Sequence, residues 1–369
     1  MSARALGTSW RATMLALLLG TAAPVAAQQP AAAEARVDTA IARARAFIRD
    51  TMGKAGIPGV SITVMRHGRI VWSEGIGWAD LEQRVPVTPL TRFRIGSVSK
   101  PLTAAAIGLL VESGRLDLDA PVQRYVPAFP EKRYPVTTRQ AAGHLAGIRH
   151  YQGDEFLSTR RFATVAEGLT IFRDDSLLFR PGTRFHYSSY AWNLVSAVIE
   201  GASGRPFLAY MREAVFQPLG MRQTVADHVD SLVPFRARWY TADSASGIVN
   251  APYVDNSYKW AGGGFLSTTE DLARFGQAML DNALLRPETF RLLTTSQRTL
   301  AGEETNYGIG WATRKDAKGR LTFAHSGGST GGTAFLVLYP AEQLVVAVLA
   351  NGDGPFVGAT PRIAEMFLE

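Results

Sequence analysis

Strand-like segments occur at both ends of this 369-residue chain, and the long block between them has few. Residues 59–66 are rich in β-branched side chains, and the turn His67-Gly68 leads into a second, antiparallel strand. Further short β-rich stretches occur at residues 308–313, 321–324, 333–339 and 344–350. Residues 101–260 carry mostly helical patterns. This distribution predicts an α/β fold of the α+β kind, with one antiparallel sheet assembled from both termini.

Helices are predicted to flank this sheet and to form an inserted block. Residues 34–52 place apolar side chains at helical spacing, and a closing helix is predicted from Pro361 onward. We expect a single domain over residues 28–369. Its sheet subdomain is predicted at about 34–96 and 261–369, and its helical subdomain at about 97–260.

The first 27 residues are predicted to be a signal peptide. Arg4 and Arg11 supply a positive segment, residues 14–20 form a short apolar core, and small residues at 25–27 precede a cut at Gln28. The apolar run is too short to span a bilayer. We therefore expect a periplasmic or secreted bacterial protein, with no stable insertion into a membrane after cleavage.

Composition excludes several other classes of protein. The chain contains no cysteine, so no disulfide can form. Its formal charge of +7 is spread along the sequence, and no basic run or RNA-binding aromatic motif accompanies it. We therefore predict no nucleic-acid partner. The sequence specifies no oligomeric state.

The spacing Ser97-Val98-Ser99-Lys100 places a hydroxyl and an amine one helical turn apart. A serine hydroxyl needs a nearby base to become a nucleophile. Lysine can be that base when its pKa is lowered, whereas arginine keeps its proton. The chain has only six lysines against thirty-three arginines, yet the residue three after Ser97 is a lysine. Alone, this spacing also fits a helix cap followed by a solvated lysine.

Two later segments are candidates to complete such a site. Tyr187 precedes a predicted helix, and nearby cations are expected to lower the pKa of its phenol into the range of a general base; a tyrosine packed at a helix entry is the alternative. His325 and the glycines Gly327 and Gly328 end a predicted strand. The Gly328 N–H, with that of Ser97, is predicted to form an oxyanion hole. A glycine turn with a surface histidine is the alternative.

In this order the segments resemble the serine β-lactamase and penicillin-binding protein superfamily, whose motifs are S-x-x-K, a Tyr- or Ser-based triplet, and a K-T-G-like strand. A tyrosine in the second motif, Tyr187, indicates the class C branch, similar to peptidase family S12. The resemblance covers about residues 35–355 and is closest to the mitochondrial serine β-lactamase-like group, of which this chain resembles a bacterial relative. It is carried by residues 116–132, 144–151, 251–268 and 307–311.

The resemblance implies acyl transfer on a small-molecule or peptide substrate. We expect no cofactor, and no metal site is predicted because the sequence has no His-Glu-x-x-His motif and no cysteine pair. Ser97 is the implied nucleophile, Lys100 and Tyr187 are implied to move its proton, and either can be the main base. Ser189 stands where β-lactamases of this branch have asparagine, and His325 replaces the lysine of K-T-G. These departures imply weak or no β-lactamase activity, and hydrolysis of peptides or esters instead.

Two alternatives stay open at this point. The chain is compatible with a penicillin-binding or sensor-like protein that does not turn over its ligand, and with a D-alanyl-D-alanine carboxypeptidase. The remaining histidines are assigned no chemistry: His144 is predicted to be structural, and the others, His150 among them, are predicted to lie in turns or on the surface. The glycines at 262–264 are predicted to form a tight turn near the site.

Overall fold

The computed structural model describes residues 1–2 and 28–369, so the predicted signal peptide lies outside the described residues except for its first two positions. The helices are α1 (Gln28–Ala55), α2 (Ser99–Glu112), α3 (Thr138–Ala142), α4 (Val165–Leu169), α5 (Ser189–Ser203), α6 (Phe207–Tyr210), α7 (Trp260–Gly263), α8 (Thr269–Leu280), α9 (Pro287–Thr294) and α10 (Phe356–Met366). Among these described helices, none combines the length and apolar character needed to cross a membrane.

The strands belong to one large sheet and two small ones. In chain order they are β1 (Gly59–Arg66), β2 (Arg69–Asp80), β3 (Val85–Pro86), β4 (Phe93–Arg94), β5 (Val225–Ala226), β6 (Tyr240–Asp243), β7 (Gly247–Asn250), β8 (Phe265–Ser267), β9 (Ala312–Lys315), β10 (Leu321–Ser329), β11 (Gly332–Tyr339) and β12 (Leu344–Ala350). The large sheet has the order β3-β2-β1-β12-β11-β10-β9, and the small ones β4-β8-β5 and β6-β7.

The pairing of β1 with β12 joins the two ends of the chain in one sheet. The two strands are antiparallel, with Val60 opposite Ala350 and Arg66 opposite Leu344. Neighbouring strands of the large sheet are antiparallel throughout. The predicted fold class, a sheet assembled from both termini and covered by helices, is therefore confirmed.

The two faces of β1 bury different kinds of side chain. Val60, Ile62 and Val64 alternate along the strand and pack with Ala44 and Ile48 of α1. This period of two is expected where one face of a strand contacts an amphipathic helix. The terminal helix α10 belongs to the same apolar cluster, so both terminal helices cover one face of the sheet.

The other face of β1 contacts the start of α8 through hydroxyl groups. Ser61 Oγ and Thr63 Oγ1 both lie 2.9 Å from Thr269 Oγ1, and all three side chains are buried. Buried polar groups are tolerated when they find such partners. α8 thereby packs against the centre of the sheet, and its apolar side chains belong to the same cluster as the main helical core.

The main helical core surrounds α2 and α5. Both helices are buried on nearly every side, with Leu102 and Ile107 of α2 and Trp192 and Val198 of α5 inaccessible to solvent. A helix that is apolar around most of its circumference belongs in the centre of a domain. These two helices are the ones that begin beside Ser97 and Tyr187, so the candidate site is carried by the most deeply buried helices of the fold.

Residues 101–260 are less helical than the pattern predicts. Strands β5, β6 and β7 occur within them, and β6 and β7 form a hairpin in which Asp243 Oδ1 accepts hydrogen bonds from the N–H groups of Ala245 and Ser246. Strands of two to four residues have too little sequence to show a period of two. They form here because β5 pairs with β8 and because an aspartate turn closes β6 on β7.

Replacing glycine by alanine is expected to change the stability of the protein in opposite directions at two helical positions. Gly201 in α5 and Gly53 in α1 each lie within the last three residues of a helix. A Cβ at Gly201 overlaps the Tyr125 carbonyl oxygen, whereas a Cβ at Gly53 meets nothing within 4 Å. We expect Gly201→Ala to lower the free energy of unfolding by roughly 1–3 kcal/mol, and Gly53→Ala to raise it by up to about 1 kcal/mol.

Urea unfolding of both variants beside the parent measures the difference. Gly53→Ala controls for the general gain in helix propensity. Stabilisation of both variants would contradict the close contact between α5 and the Tyr125 backbone.

Candidate active site

Ser97 lies in the short 3-10 segment Gly96–Val98, directly before α2, rather than in the α-helix itself. Gly96 has a φ of +46°, and a Cβ there would lie 2.5 Å from the Gly328 carbonyl oxygen. Only glycine adopts this conformation and tolerates this contact without strain. The turn therefore presents Ser97 to β10 at a distance that no larger residue at position 96 permits.

Lys100 lies one turn further on, in the first turn of α2, and is fully buried. Its Nζ lies 2.8 Å from Ser97 Oγ and donates a hydrogen bond of 2.7 Å to the Gly262 carbonyl oxygen. Burial, followed by the positive charge of Lys259, lowers the pKa of Lys100 well below its usual range. An uncharged amine donates to Gly262 and keeps a lone pair, so Lys100 can accept the hydroxyl proton of Ser97.

Tyr187 approaches Ser97 from the loop that precedes α5. Its hydroxyl donates to Ser97 Oγ at 2.8 Å. Burial raises the pKa of Tyr187 to about 12, although hydrogen bonds with Ser97 and Ser189 partly oppose that rise. The expectation that cations lower this pKa is therefore wrong. Lys100 Nζ lies 4.9 Å from the centre of the Tyr187 ring, but a neutral amine supplies no charge. This geometry favours Lys100 as base and Tyr187 as proton donor.

The free edge of β10 forms the wall opposite Tyr187. β9 pairs only with the first four residues of β10, 321–324, so the rest of that edge faces the Ser97 turn. A Cβ at Gly327 would overlap the Ile95 carbonyl oxygen and lie 3.1 Å from Ser97 N. Ser97 and Gly328 line the same cavity. The two residues predicted to form an oxyanion hole therefore border one space.

His325 is buried beneath this wall rather than exposed on a turn, with only 6% of its surface accessible. Its Nδ1 donates to the Ser326 carbonyl oxygen at 2.6 Å, and its Nε2 accepts from the Tyr307 hydroxyl at 2.8 Å. Burial, followed by the charge of Lys100, lowers the pKa of His325 to about 3. The ring is neutral at pH 7 and both nitrogens are engaged, so it provides no cation for a substrate carboxylate.

Two further histidines contact the candidate site: His144, which the sequence predicts to be structural, and His150, which it predicts to lie in a turn or on the surface. His144 Nδ1 accepts from the Ser188 N–H at 3.1 Å, and its ring centre lies 4.2 Å from that of Tyr187. His150 Nδ1 accepts from the Ser189 N–H at 3.2 Å, and its ring meets Tyr187 edge-on at 5.7 Å. Burial lowers the pKa of both, that of His150 to about 4. They fix the backbone that carries Tyr187.

The cavity above Ser97 has a volume of about 270 Å³. Besides the predicted residues Tyr187, Ser189 and Gly328, it is lined by Tyr151, Phe156 and Lys259. No sequence pattern predicted these three in the site. Tyr151 and Phe156 are close to each other in sequence, but Lys259 lies in a distant segment, and local spacing carries no signal that joins the two. Gly262 and Gly263 also line the cavity, near the site as predicted, but they belong to the short helix α7 rather than to a tight turn.

The chemistry available here is that of a half-buried serine, a buried amine and a phenol. Across residues 1–2 and 28–369, no group of three or more histidine, aspartate or glutamate side chains is placed to hold a metal ion. The arrangement is suited to transferring an acyl group to Ser97 Oγ, with Lys100 accepting its proton.

Sequence comparison identifies the family. The sequence model of the Beta-lactamase family matches residues 44–368. The human "Serine beta-lactamase-like protein LACTB, mitochondrial" is 35% identical over an alignment 397 residues long. This alignment covers 82% of this chain and 72% of the human protein. The chain belongs to the β-lactamase family. The resemblance inferred from its motifs is confirmed, and the protein is a serine hydrolase.

Structural comparison agrees with this assignment. The octameric penicillin-binding protein homologue from Pyrococcus abyssi is similar with a TM-score of 0.76 at 28% identity, covering 89% of this chain and 76% of that protein. EstCE1, a hydrolase with promiscuous acyltransferase activity, has a TM-score of 0.77 at 23% identity, covering 91% of this chain and all of its own length (100%). At that identity the second likeness concerns the fold alone.

Histidines that stay neutral in the folded protein are expected to make this β-lactamase family member less stable in mild acid. The pKa of His325 is about 3 in the folded protein, whereas an unfolded histidine titrates near 6.5. Below that value the unfolded state binds more protons, so the free energy of unfolding falls as the pH falls. Between pH 7 and pH 5, His325 alone is expected to contribute a loss of about 2 kcal/mol.

Urea unfolding at the two pH values measures this loss. In His325→Gln, whose amide retains a hydrogen-bond partner for Tyr307, the loss should be clearly smaller than in the parent. His67→Asn, at the exposed turn between β1 and β2, is the control and should lose as much as the parent. An equal loss in His325→Gln and the parent would show that His325 does not stay neutral in the folded protein.

Proposed function

We propose that this protein is an exported hydrolase that cleaves amides or esters through an acyl-enzyme on Ser97. One observation carries the proposal: Ser97 Oγ lies 2.8 Å from both Lys100 Nζ and the Tyr187 hydroxyl, at the floor of an open cavity. A nucleophile within hydrogen-bond reach of a base and a proton donor is the arrangement that covalent catalysis requires.

Acylation proceeds in two steps, addition of Ser97 and departure of the leaving group. Ser97 Oγ bonds to the substrate carbonyl carbon while its proton passes to the neutral Lys100 amine, and the negative charge on the carbonyl oxygen is held by the N–H groups of Ser97 and Gly328. The bond to the leaving nitrogen or oxygen then breaks. That atom takes a proton from the Tyr187 hydroxyl, which recovers one from Lys100. Lys100 and Tyr187 end the step in the protonation states in which they began.

In deacylation Lys100 is again the base, with water as the nucleophile. A water molecule gives its proton to Lys100 as its oxygen bonds to the acyl carbon. The bond to Ser97 Oγ then breaks, Ser97 Oγ takes the proton from Lys100, and the acid product leaves. The neutral state of Lys100 at the start of both steps is what allows one amine to serve twice.

Peptides or esters are the substrates that the cavity supports best. Its aromatic side chains Tyr151 and Phe156 suit an acyl group with an apolar portion. Ser189 brings a short hydroxyl where an amide would hold a β-lactam side chain. His325 is neutral, so its position offers little to the carboxylate of a penicillin or of a D-alanyl-D-alanine terminus. These features support weak or no β-lactamase activity and count against the carboxypeptidase alternative.

Export of the protein to the periplasm or cell exterior is part of the proposal. Its support is the predicted signal peptide, with its positive start, short apolar core and small residues before Gln28. The absence of cysteine from the sequence is compatible with an oxidising compartment.

Intact-protein mass spectrometry tests the acyl-enzyme. Protein over residues 28–369 is mixed with a fluorophosphonate, and separately with a penicillin, beside Ser97→Ala. We expect a fluorophosphonate adduct on the parent and none on Ser97→Ala. With penicillin we expect little adduct. A penicillin adduct that persists would favour the binding-protein alternative, and a folded parent that reacts with neither probe would contradict the proposed nucleophile.

The roles of Lys100 and Tyr187 predict a graded series. Lys100→Arg places a group that keeps its proton beside Ser97, and Lys100→Met removes the amine at similar length, so both should slow acylation by roughly 10²-fold or more. Tyr187→Phe should leave addition to the fluorophosphonate less affected than turnover of an ester, because the phenol serves the leaving group.

Mass spectrometry of samples quenched at successive times gives the acylation rates, and the rate of ester hydrolysis gives turnover. Circular dichroism of Lys100→Met controls for folding. A Lys100→Met variant that acylates at the parental rate would remove Lys100 from the mechanism.

A further inference from the structure

A buried amine in the wall of the Ser97 cavity lacks a partner. Lys259 ends the 3-10 segment Ser257–Lys259 just before α7, and only 2% of its surface is exposed. It lines the same cavity as Ser97. Within the described part of the chain, Lys259 Nζ has no hydrogen-bond partner. A buried amine without a partner is costly to keep, so its presence in the wall of a reaction cavity needs an explanation.

Three aromatic rings lie around this amine, and two of them line the cavity themselves. Lys259 Nζ lies 4.3 Å from the centre of the Phe156 ring, 5.8 Å from that of Tyr151 and 5.3 Å from that of Tyr258. Phe156 and Tyr151 line the cavity together with Lys259. Ring faces attract a cation and compensate part of its lost hydration. They do not replace a negatively charged hydrogen-bond acceptor, so the N–H groups of Lys259 stay available to a ligand.

The acidic side chains of the neighbouring segments are already paired with arginines. Asp227 is buried and accepts a hydrogen bond of 2.8 Å from Arg94. Glu155 pairs with Arg149 at 2.7 Å. Burial, followed by the charge of Arg94, lowers the pKa of Lys259 to about 7, and Asp227 opposes only part of this change. The described residues therefore supply no anion that compensates an ammonium group at this place.

The acyl part of a substrate is the part that can stay against this amine. It remains bonded to Ser97 from acylation to deacylation, whereas the leaving group has to escape to solvent between the two steps. Because Lys259 is enclosed, a group that binds to it is held inside the cavity. The cavity volume of about 270 Å³ has room for a short acyl chain.

We propose that Lys259 is a substrate-binding residue that selects acyl groups ending in a carboxylate. The proposal rests on the proposed function and names the substrate class of the same site. The carboxylate accepts hydrogen bonds from Lys259 Nζ, and the methylene groups between it and the reacting carbonyl contact Phe156 and Tyr151. Such charge-assisted hydrogen bonds are stronger than neutral ones, and stronger still where water is scarce.

The number of charges favours a carboxylate over a phosphate group. Among the described residues that line the cavity, Lys259 is the one lysine, and no arginine lines it. Burial lowers the pKa of His150, the histidine that lines the cavity, to about 4, so this ring is neutral at pH 7. One ammonium group matches the single charge of a carboxylate, whereas a phosphate monoester carries close to two charges near neutral pH.

Paired p-nitrophenyl esters measure this selectivity. Monoesters of glutarate and adipate are compared with the valerate and hexanoate esters, in which a methyl group replaces the carboxylate. We expect kcat/KM of the parent to be higher for the acidic ester of each pair, by roughly tenfold or more, and Lys259→Met to lose most of that ratio. Lys315→Met, which removes an exposed lysine of β9, is the matched control and should keep the parental ratio.

Ser97→Ala gives the background hydrolysis that is subtracted from each rate, and circular dichroism checks the folding of Lys259→Met. A ratio that is the same in the parent and in folded Lys259→Met, with all four esters hydrolysed, overturns the selectivity of Lys259 and leaves the proposed function in place.

Binding without turnover separates the two proposals. Ser97→Ala over residues 28–369 is labelled at lysine with ¹³C, and its six lysine signals are followed by NMR as ligand is added. The ligands are glutaramate, whose amide replaces the reacting carbonyl group, and the neutral valeramide. The Lys259 signal is assigned from Lys259→Met. We expect glutaramate to shift this signal and valeramide at the same concentration to shift it far less.

Equal shifts of the Lys259 signal with both ligands contradict the binding of a carboxylate. If the parent neither hydrolyses the esters nor reacts with the fluorophosphonate, the proposed function fails. The NMR titration still decides in that case whether Lys259 binds a carboxylate, because it requires no reaction at Ser97.

Discussion

Exclusion of water from the Lys100 amine is the condition on which the candidate site depends. A charged amine would lose its hydration there, so the neutral form is favoured and its lone pair is available to Ser97. The same exclusion keeps the proton on Tyr187 and off His325. Three helices provide this environment together, since α2 carries Lys100, α5 covers it and α7 supplies the carbonyl that it binds. No single helix of the three would bury the amine.

The close approach of β10 to the Ser97 turn imposes a second, purely steric requirement. The Ser97 turn belongs to the helical core and β10 to the sheet, and they meet through backbone atoms at Gly96 and Gly327. Glycine at both positions lets the two backbones approach more closely than any side chain would allow. A shift of the sheet relative to α2 would therefore move Gly328 away from the Ser97 turn, even with every side chain of the site intact.

Short sequence patterns correctly predicted the elements whose structure depends on neighbouring residues. The β-branched run of β1 and the apolar run of β12 are recognisable alone, and the spacing of Ser97 and Lys100 follows from one helical turn. The pKa of Tyr187 depends instead on burial by residues distant in sequence, which is why its expected direction was wrong. His150 and Lys259 reach the cavity from separate loops. The short strands β5 to β7 depend on their pairing partners, and the Asp243 turn was the one local signal available for them.

The pairing of β1 with β12 also constrains the order in which the molecule can form. The centre of the sheet joins residues from opposite ends of the chain, and contacts so distant in sequence carry a high entropy of loop closure. During synthesis, the edge of β1 that β12 will occupy stays open until residues 344–350 are made. The final strand thus completes the sheet, and a truncated chain exposes an apolar edge prone to pairing with other molecules.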